Sequence, residues 1–168
     1  MQLRSLEDLL ALDLQDLQAT EEQLLQALPK MAEAASSDEL KAAFAQHRIE
    51  TEEHLRRLNE AMAEFGATPA GQSLRGIGEL IAKGEEIMKA DGDPVVKDAA
   101  LIGAAQKIEH YEIASYGTAR TIASELGREQ AAEMLDQTLE EEKDADRMLN
   151  KIATGGMLRT GINERAAR

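Results

Sequence analysis

The stretch AALIGAAQKIEHYEIASYGTA, residues 99–119, carries the pattern on which both fold and function depend. It lies within a helical segment that begins at Pro94, a residue type favoured in the first helical turn, and ends before Gly127. Spacings of three and four residues place one set of its side chains on a single helix face: Ile102, Ala105, Glu109, Glu112 and Tyr116. Two carboxylates therefore stand where an amphipathic helix normally presents apolar side chains to the core.

On either side of this stretch, a few helix-breaking residues divide the chain into helical segments. Long helices are predicted at about residues 5–35, 37–65 (closed by Gly66), 94–126 and 129–154, with a short one at about 73–90. Tight turns join the first two long helices, and the last two, as antiparallel hairpins, and about 28 residues between the hairpins allow a crossover. The sequence therefore predicts an all-α, ferritin-like four-helix bundle with one long crossover that contains a short extra helix.

The sequence also predicts how the first two helices begin and where the bundle ends. Ser5 with Asp8, and Ser36 with Glu39, have the spacing of caps at the starts of the first two helices. The bundle is predicted to occupy residues 1–154. Residues 155–168 are glycine-containing and basic, and are predicted to form a flexible tail.

Composition excludes several classes of protein. Ala (28), Glu (22) and Leu (21) dominate the 168 residues, whereas only two Val and four aromatic residues are present, so a strand-based fold is not expected. The net charge of −13 argues against binding to nucleic acid or to an anionic membrane. Because the chain has no Cys, no long apolar run and no signal-peptide pattern at its N-terminus, a cytoplasmic location is expected.

The other long helices also break their apolar stripes near the midpoint. The interrupting side chains are Glu21 in the first helix, His47, Glu50 and His54 in the second, and Glu142 and Asp146 in the last. A single buried carboxylate is ordinarily explained by partial exposure or by a Lys or Arg partner. Several carboxylates at one level of a core repel one another, and burial of each charge is costly.

Divalent cations supply the missing positive charge, and oxygen-rich ligands with a few imidazoles suit iron, with manganese as the alternative. Glu109 follows Glu21 by 88 residues and Glu142 follows Glu50 by 92, so the two halves resemble a pseudo-twofold pair of hairpins. We predict a site for two transition-metal ions bridged by Glu50 and Glu142, with Glu21 and Glu109 as terminal ligands. Glu112, Asp146 and one of the two imidazoles, His47 or His54, would complete the two sets of ligands.

Three segments also resemble a known family: AALIGAAQKIEHYEIASYGTA (99–119), EEQLLQALPKM (21–31) and TLEEEKDAD (138–146). Over about residues 3–153 the chain is similar to the YciE/YciF family of bacterial ferritin-like stress proteins. The resemblance implies a ferritin-like fold, a di-iron-type carboxylate centre, a cytoplasmic homodimer and a role in the stress response. It assigns the site to Glu21, His47, Glu50, Glu109, Glu112, Glu142 and Asp146. The chain departs from a standard ferritin-like site, since no His follows Glu50 at the third position and the last helix supplies Asp146 instead of His.

Two functions follow from these patterns, and the sequence leaves open whether the site is catalytic. In the first, two metal ions react with O₂ or peroxide, so that the protein oxidises ferrous iron or consumes peroxide. In the second, the protein is a non-enzymatic, homo-oligomeric stress or structural protein whose metal site is vestigial or structural. Metal ions are the expected partners in both, and neither nucleic acid nor a membrane is expected.

Overall fold

A computed structural model describes residues 3–65, 77–156 and 159–168. Its elements are α1 (Leu6–Ala34), α2 (Asp38–Glu64), α3 (Gly78–Lys89), α4 (Pro94–Glu125), α5 (Glu129–Thr154), β1 (Gly155–Gly156), β2 (Arg159–Thr160) and α6 (Ile162–Ala166). The four long helices agree with the predicted bounds to within one or two residues. Gly66, predicted to end the second helix, and Ser73, predicted to start the short one, lie outside the described residues.

The predicted four-helix bundle is confirmed. Helix α1 packs against α2 and α4 packs against α5, so each hairpin predicted from the tight turns is present. The two hairpins meet because α2 also packs against α5 and α1 against α4. Helix α3 lies in the long crossover between α2 and α4 and packs on α4 and α1.

The starts of the helices are held in different ways. The Ser5 hydroxyl accepts a hydrogen bond from the Asp8 backbone N–H, as its spacing predicted. The start of α2 differs from the prediction, because Ser36 is not its cap and the Ser37 side chain makes no capping bond. Instead, the buried Asp98 of α4 accepts hydrogen bonds from the backbone N–H groups of Ser36 and Ser37 and from the Ser36 hydroxyl. Tertiary packing thus supplies a hydrogen-bond acceptor at the start of α2, where a local cap would otherwise supply one.

The apolar core is divided into two clusters by a polar layer. One cluster contains Leu24, Leu28 and Met31 of α1, and the other contains Leu10, Leu14 and Leu17 of the same helix. Every long helix contributes to both clusters in this way. Between its two apolar segments each helix has titratable side chains, so the polar residues lie together at the middle of the bundle.

The predicted C-terminal tail, residues 155–168, contains regular secondary structure among its described residues. Strands β1 and β2 pair as a short antiparallel hairpin, and α6 packs on α4 and α5. Ile162 is 2% exposed and belongs to the core cluster of Leu24 and Leu28. The hairpin needs glycine at Gly155, where φ is +75° and a Cβ would lie 2.3 Å from the Arg159 carbonyl oxygen. A buried isoleucine therefore ties the C-terminal residues to the bundle.

Within the described ranges, none of the helices combines the length and the apolar character that crossing a membrane requires.

Candidate metal centre

In the described ranges, the polar layer consists of six buried titratable side chains, and all four long helices contribute to it. They are Glu21 from α1, His47 and His54 from α2, Glu109 and Glu112 from α4, and Glu142 from α5. Each is 5% exposed or less. The sequence predicted all six as site residues, and the bundle brings them to one place because each lies at the midpoint of its helix, between the two apolar clusters.

Glu142 lies at the centre of the layer. Its Oε1 atom is 2.9 Å from Nδ1 of His54, and its Oε2 atom is 3.7 Å from Nε2 of His47. The ring centroids of the two histidines are 6.2 Å apart. One carboxylate oxygen therefore faces each imidazole, an arrangement suited to a ligand shared by two ions.

Among the described residues, two groups of donor atoms are close enough to hold an ion, and both include Glu142. The first group joins Glu142 to Glu21 and His54, whose Nδ1 atom lies 3.4 Å from Oε1 of Glu21. The second joins Glu142 to His47, Glu109 and Glu112, with Nε2 of His47 lying 3.5 Å from Oε1 of Glu109. In each group, one ligand atom from every member lies within 4.8 Å of the others.

The donor atoms of the layer are largely without hydrogen-bond partners. Within the described part of the chain, these buried unpaired atoms include both oxygens of Glu112 and of Glu142, one oxygen each of Glu21 and Glu109, both nitrogens of His47, and Nδ1 of His54. An unpaired buried polar atom costs about 1–3 kcal/mol. Carboxylate oxygens and imidazole nitrogens with free lone pairs, collected in two adjacent groups, fit two divalent cations such as iron or manganese.

The pKa values of the two histidines indicate that the layer favours bound positive charge. Burial lowers the pKa of His54, but the adjacent Glu142 and Glu21 carboxylates outweigh it and raise this pKa to about 11. Burial also lowers the pKa of His47, but the nearby carboxylates of Glu109, Glu50, Glu142 and Glu21 outweigh it and raise this pKa to about 10. Without bound cations, protons on the imidazoles offset the negative charge.

The pKa values of the two carboxylic acids of α4 also indicate that the layer favours bound positive charge. Burial, and then the charge of Glu142, raise the pKa of Glu112 well above its usual value. Burial also raises the pKa of Glu109, although the neighbouring His47 opposes it. Cations would replace these protons, because metal ligands bind in their deprotonated forms.

Tyr116 closes the layer on the side of Glu21. Its side chain is fully buried, its hydroxyl donates to Oε1 of Glu21, and its ring meets that of His54 edge-on at 6.3 Å. Tyr116 belongs to the apolar cluster of Leu10 and Leu14, so this side of the layer is sealed from solvent.

Two residues of the predicted ligand set are not brought into either group. Glu50, predicted as a bridge, has a side chain that is 32% exposed, and it accepts a hydrogen bond from Gln46. At this level of α2 the residue that faces the core is the fully buried Thr51. Asp146 is 21% exposed and accepts a hydrogen bond from Gln106 of α4. Each lies one helix turn from a buried donor but is rotated towards the edge of its interface.

A cavity of about 370 Å³ leads to the other side of the layer. It lies between α2 and α5, and its walls include His47 and Glu109 together with the apolar side chains of Phe44, Met148 and Leu149. The group that contains His47 is therefore accessible to small molecules, in contrast to the group sealed by Tyr116.

Sequence reasoning missed an ion pair behind His54. Arg57 is 6% exposed and forms two hydrogen bonds to Glu141. Glu141 in turn lies 2.9 Å from Nε2 of His54. The available signal was the spacing of Arg57 three residues after His54, which places both on one face of α2.

Comparison with known proteins identifies a matching family model and a similar protein of Escherichia coli. A family model described as a domain of unknown function, DUF892, matches residues 5–167. Protein YciF of Escherichia coli (strain K12) is 38% identical over 165 residues, which cover 98% of this chain and 99% of YciF.

Solved structures agree in fold. The crystal structure of the E. coli stress protein YciF aligns with a TM-score of 0.86 at 39% identity, over 89% of this chain and 94% of that one. YcfI of Rhodopseudomonas palustris, described as a candidate structural protein, aligns with a TM-score of 0.85 at 38% identity, over 89% and 96% of the two chains. A Xanthomonas campestris protein, XCC3681, aligns with a TM-score of 0.70 at 22% identity, over 88% and 89%, which supports the fold alone.

Proposed function

The chain belongs to the DUF892 family, and from that premise we propose that it is a carboxylate-bridged di-metal protein of the bacterial stress response. The resemblance to YciF inferred from the sequence is confirmed by the identity over nearly the whole chain. The observation that carries the metal proposal is the layer of six buried ligand-type side chains whose donor atoms lack partners. Iron is the proposed ion, and manganese is the alternative.

The described residues divide naturally between two ions. Glu21 and His54 would hold one, and His47, Glu109 and Glu112 would hold the other, with Glu142 shared. When bound, such a pair of ions supplies one-electron chemistry on O₂ or peroxide. The proposed reactions are therefore oxidation of ferrous iron and consumption of peroxide.

The chain itself contributes shape, exclusion of water and access. The two apolar clusters above and below the layer keep water away, which strengthens electrostatic interactions within it. Tyr116 holds the Glu21 carboxylate in place through its hydroxyl. The cavity beside His47 gives a small oxidant or an incoming ion a route to one side of the site.

Metal analysis tests the proposal directly. After iron-replete expression, we expect about two transition-metal ions per chain in the unmodified protein and a loss of both in Glu142→Gln, because that carboxylate belongs to both groups. Glu140→Gln is the matched control, since it makes the same change at an exposed position two residues away. A metal-free unmodified protein would contradict the proposal.

A second candidate function is a non-enzymatic structural role with a structural or vestigial metal site. It is favoured by the similarity to YcfI of R. palustris, which is described as a candidate structural protein. Incubation with ferrous iron and peroxide separates the two functions. Oxidation faster than the free-ion rate, and its loss in Glu142→Gln, supports the enzyme, whereas bound metal without turnover supports the structural role.

We further propose that the protein acts in the cytoplasm as a homodimer and binds neither nucleic acid nor a membrane. The net charge of −13 supports the absence of nucleic-acid binding. Light scattering of the purified protein tests the assembly, because a large hollow shell would instead indicate iron storage.

A further inference from the structure

Nε2 of His54, the ring nitrogen on the side away from Glu142, contacts polar side chains that belong to neither group of donor atoms. Nε2 of His54 is 2.9 Å from Oε2 of Glu141. Arg57 binds both oxygens of the same carboxylate: Nη1 donates to Oε2 at 2.6 Å and Nη2 donates to Oε1 at 3.0 Å. Nη1 of Arg57 also donates to the buried hydroxyl of Thr138 at 3.1 Å. The chain of contacts runs from Arg57 through Glu141 to His54 and links α2 with α5.

This arrangement determines which nitrogen of His54 keeps its proton when the ring loses the other one to bind an ion. The Glu141 carboxylate, paired with Arg57, can only accept, so the Nε2 atom that meets it must be the donor. The neutral imidazole then keeps its lone pair on Nδ1. Nδ1 faces Oε1 of Glu142 at 2.9 Å and Oε1 of Glu21 at 3.4 Å, and within the described part of the chain it has no hydrogen bond of adequate geometry.

His47 lacks an equivalent partner. Both of its ring nitrogens are without hydrogen bonds among the described residues, and its nearest outer carboxylate, Glu50, lies 3.6 Å from Nδ1. The two imidazoles of the layer therefore differ, since one is oriented by a fixed ion pair and the other is not.

We propose that the Arg57–Glu141 ion pair is a positioning device: it fixes the ring and the tautomer of His54 so that Nδ1 is the donor to an ion held with Glu21 and Glu142. This inference rests on the proposed function for the metal, whereas the hydrogen bond from Nε2 to Glu141 does not depend on any ion. Outer-sphere carboxylates of this kind typically change metal affinity by about 10–100-fold when removed. Glu141 and Arg57 are thus positioning residues and not ligands.

The test uses nitrogen-15 NMR of the histidine side chains in the full chain, with Zn(II) as a diamagnetic probe. In the metal-free protein we expect a protected Nε2–H signal from His54 that is present in the unmodified protein and absent from Glu141→Ala. On addition of Zn(II), Nδ1 of His54 should shift as a metal-bound nitrogen while Nε2 remains protonated. Zn(II) affinity should fall by about 10–100-fold in Glu141→Ala.

Two further variants separate positioning from packing. Glu141→Gln retains an oxygen acceptor, so it should recover part of the Nε2–H protection and of the Zn(II) affinity that Glu141→Ala loses. If Glu141 served helix packing alone, the His54 signals would be the same in the unmodified protein and in both variants. Glu140→Ala, at an exposed neighbouring position, should behave as the unmodified protein.

The inference is overturned if Glu141→Ala binds Zn(II) as tightly as the unmodified protein, with the same His54 signals. It is also overturned if Nε2 of His54 carries no protected proton in the unmodified protein while Zn(II) still binds. If the protected proton is present but Zn(II) does not bind, the proposed metal function fails, and with it the assignment of Nδ1 as a ligand. These results distinguish failure of the positioning device from failure of the metal site.

Discussion

Buried carboxylate oxygens of the polar layer lack hydrogen-bond partners in the described part of the chain, which is unfavourable for folding and favourable for binding cations. Glu112 is fully buried and both of its carboxylate oxygens lack partners within the described residues. His47 and His54 are buried among acids that raise the pKa of both rings far above the ordinary value. At the scale of residues, the site is therefore a place where stability and function oppose each other.

Replacing Glu112 with Met should stabilise the metal-free protein. An apolar side chain of similar length removes two unpaired buried oxygens, so we expect the free energy of unfolding to rise by about 1–3 kcal/mol. The same variant should lose metal from the group that contains His47. Urea unfolding and metal analysis give the two readouts, and Glu133→Met, at an exposed position of α5, should change neither. A metal-free Glu112→Met protein that is less stable than the unmodified one would contradict this reading.

The stability of the metal-free protein should fall as pH rises from about 6.5 to about 10. The pKa of His47 is raised from 6.5 to about 10 and that of His54 to about 11, so the folded state binds protons that the unfolded state has released. Their contribution is complete below pH 6.5 and is lost as the pH rises through the folded-state values. Denaturation midpoints measured across this range after chelation provide the check. The double variant His47→Gln with His54→Gln should show a flatter profile, and an unchanged slope would count against the assigned charges.

At the scale of elements, the start of α2 depends on another helix. Asp98 of α4 is 1% exposed and accepts three hydrogen bonds from Ser36 and Ser37, which precede α2. The negative charge also faces the positive end of the α2 helix dipole. One buried carboxylate therefore fixes where α2 begins and joins the two hairpins of the bundle.

Asp98→Ala should destabilise the protein by about 2 kcal/mol, since it removes a buried carboxylate that accepts three hydrogen bonds at the start of α2. The metal content of the purified variant should stay unchanged, because Asp98 belongs to neither donor group. Chemical denaturation measures the loss. Asp91→Ala, an exposed acid before the start of α4, is the control and should have little effect. If both variants had equal stability, the Asp98 contacts would not hold α2.

At the scale of the whole molecule, the bundle isolates its polar layer between two apolar clusters. Each long helix contributes apolar side chains above and below the layer, so the charges are screened from solvent at both ends. The C-terminal residues extend one of these clusters, since Ile162 of α6 is 2% exposed within it. Helix α6 therefore extends the apolar core on one side of the polar layer.

Ile162→Ala should lower the free energy of unfolding by about 2–5 kcal/mol, the usual range for truncating a buried isoleucine. Ile49→Ala makes the same truncation at a residue that is 61% exposed, and should cost much less. Thermal or urea unfolding of the two variants checks the difference. Equal effects would show that α6 does not contribute to the core.

The amino-acid sequence by itself determined the helices, their order and the six acids and imidazoles at the middle of the bundle. This was possible because helical periodicity and chain breakers are local properties, and a charge on an apolar stripe is visible without a structure. It could not place Glu50 and Asp146, because a side chain near the edge of a stripe turns inward or outward according to how the neighbouring helix packs.

Only the tertiary structure decided the contacts between distant residues. The pairing of Arg57 with Glu141 behind His54, the Asp98 cap on α2 and the burial of Ile162 join positions tens of residues or more apart in the chain. No local pattern specifies such partners, because the relative rotation and register of the helices set which side chains meet. The chain therefore specifies which ligands are available, and the packing of the helices selects those that share a site.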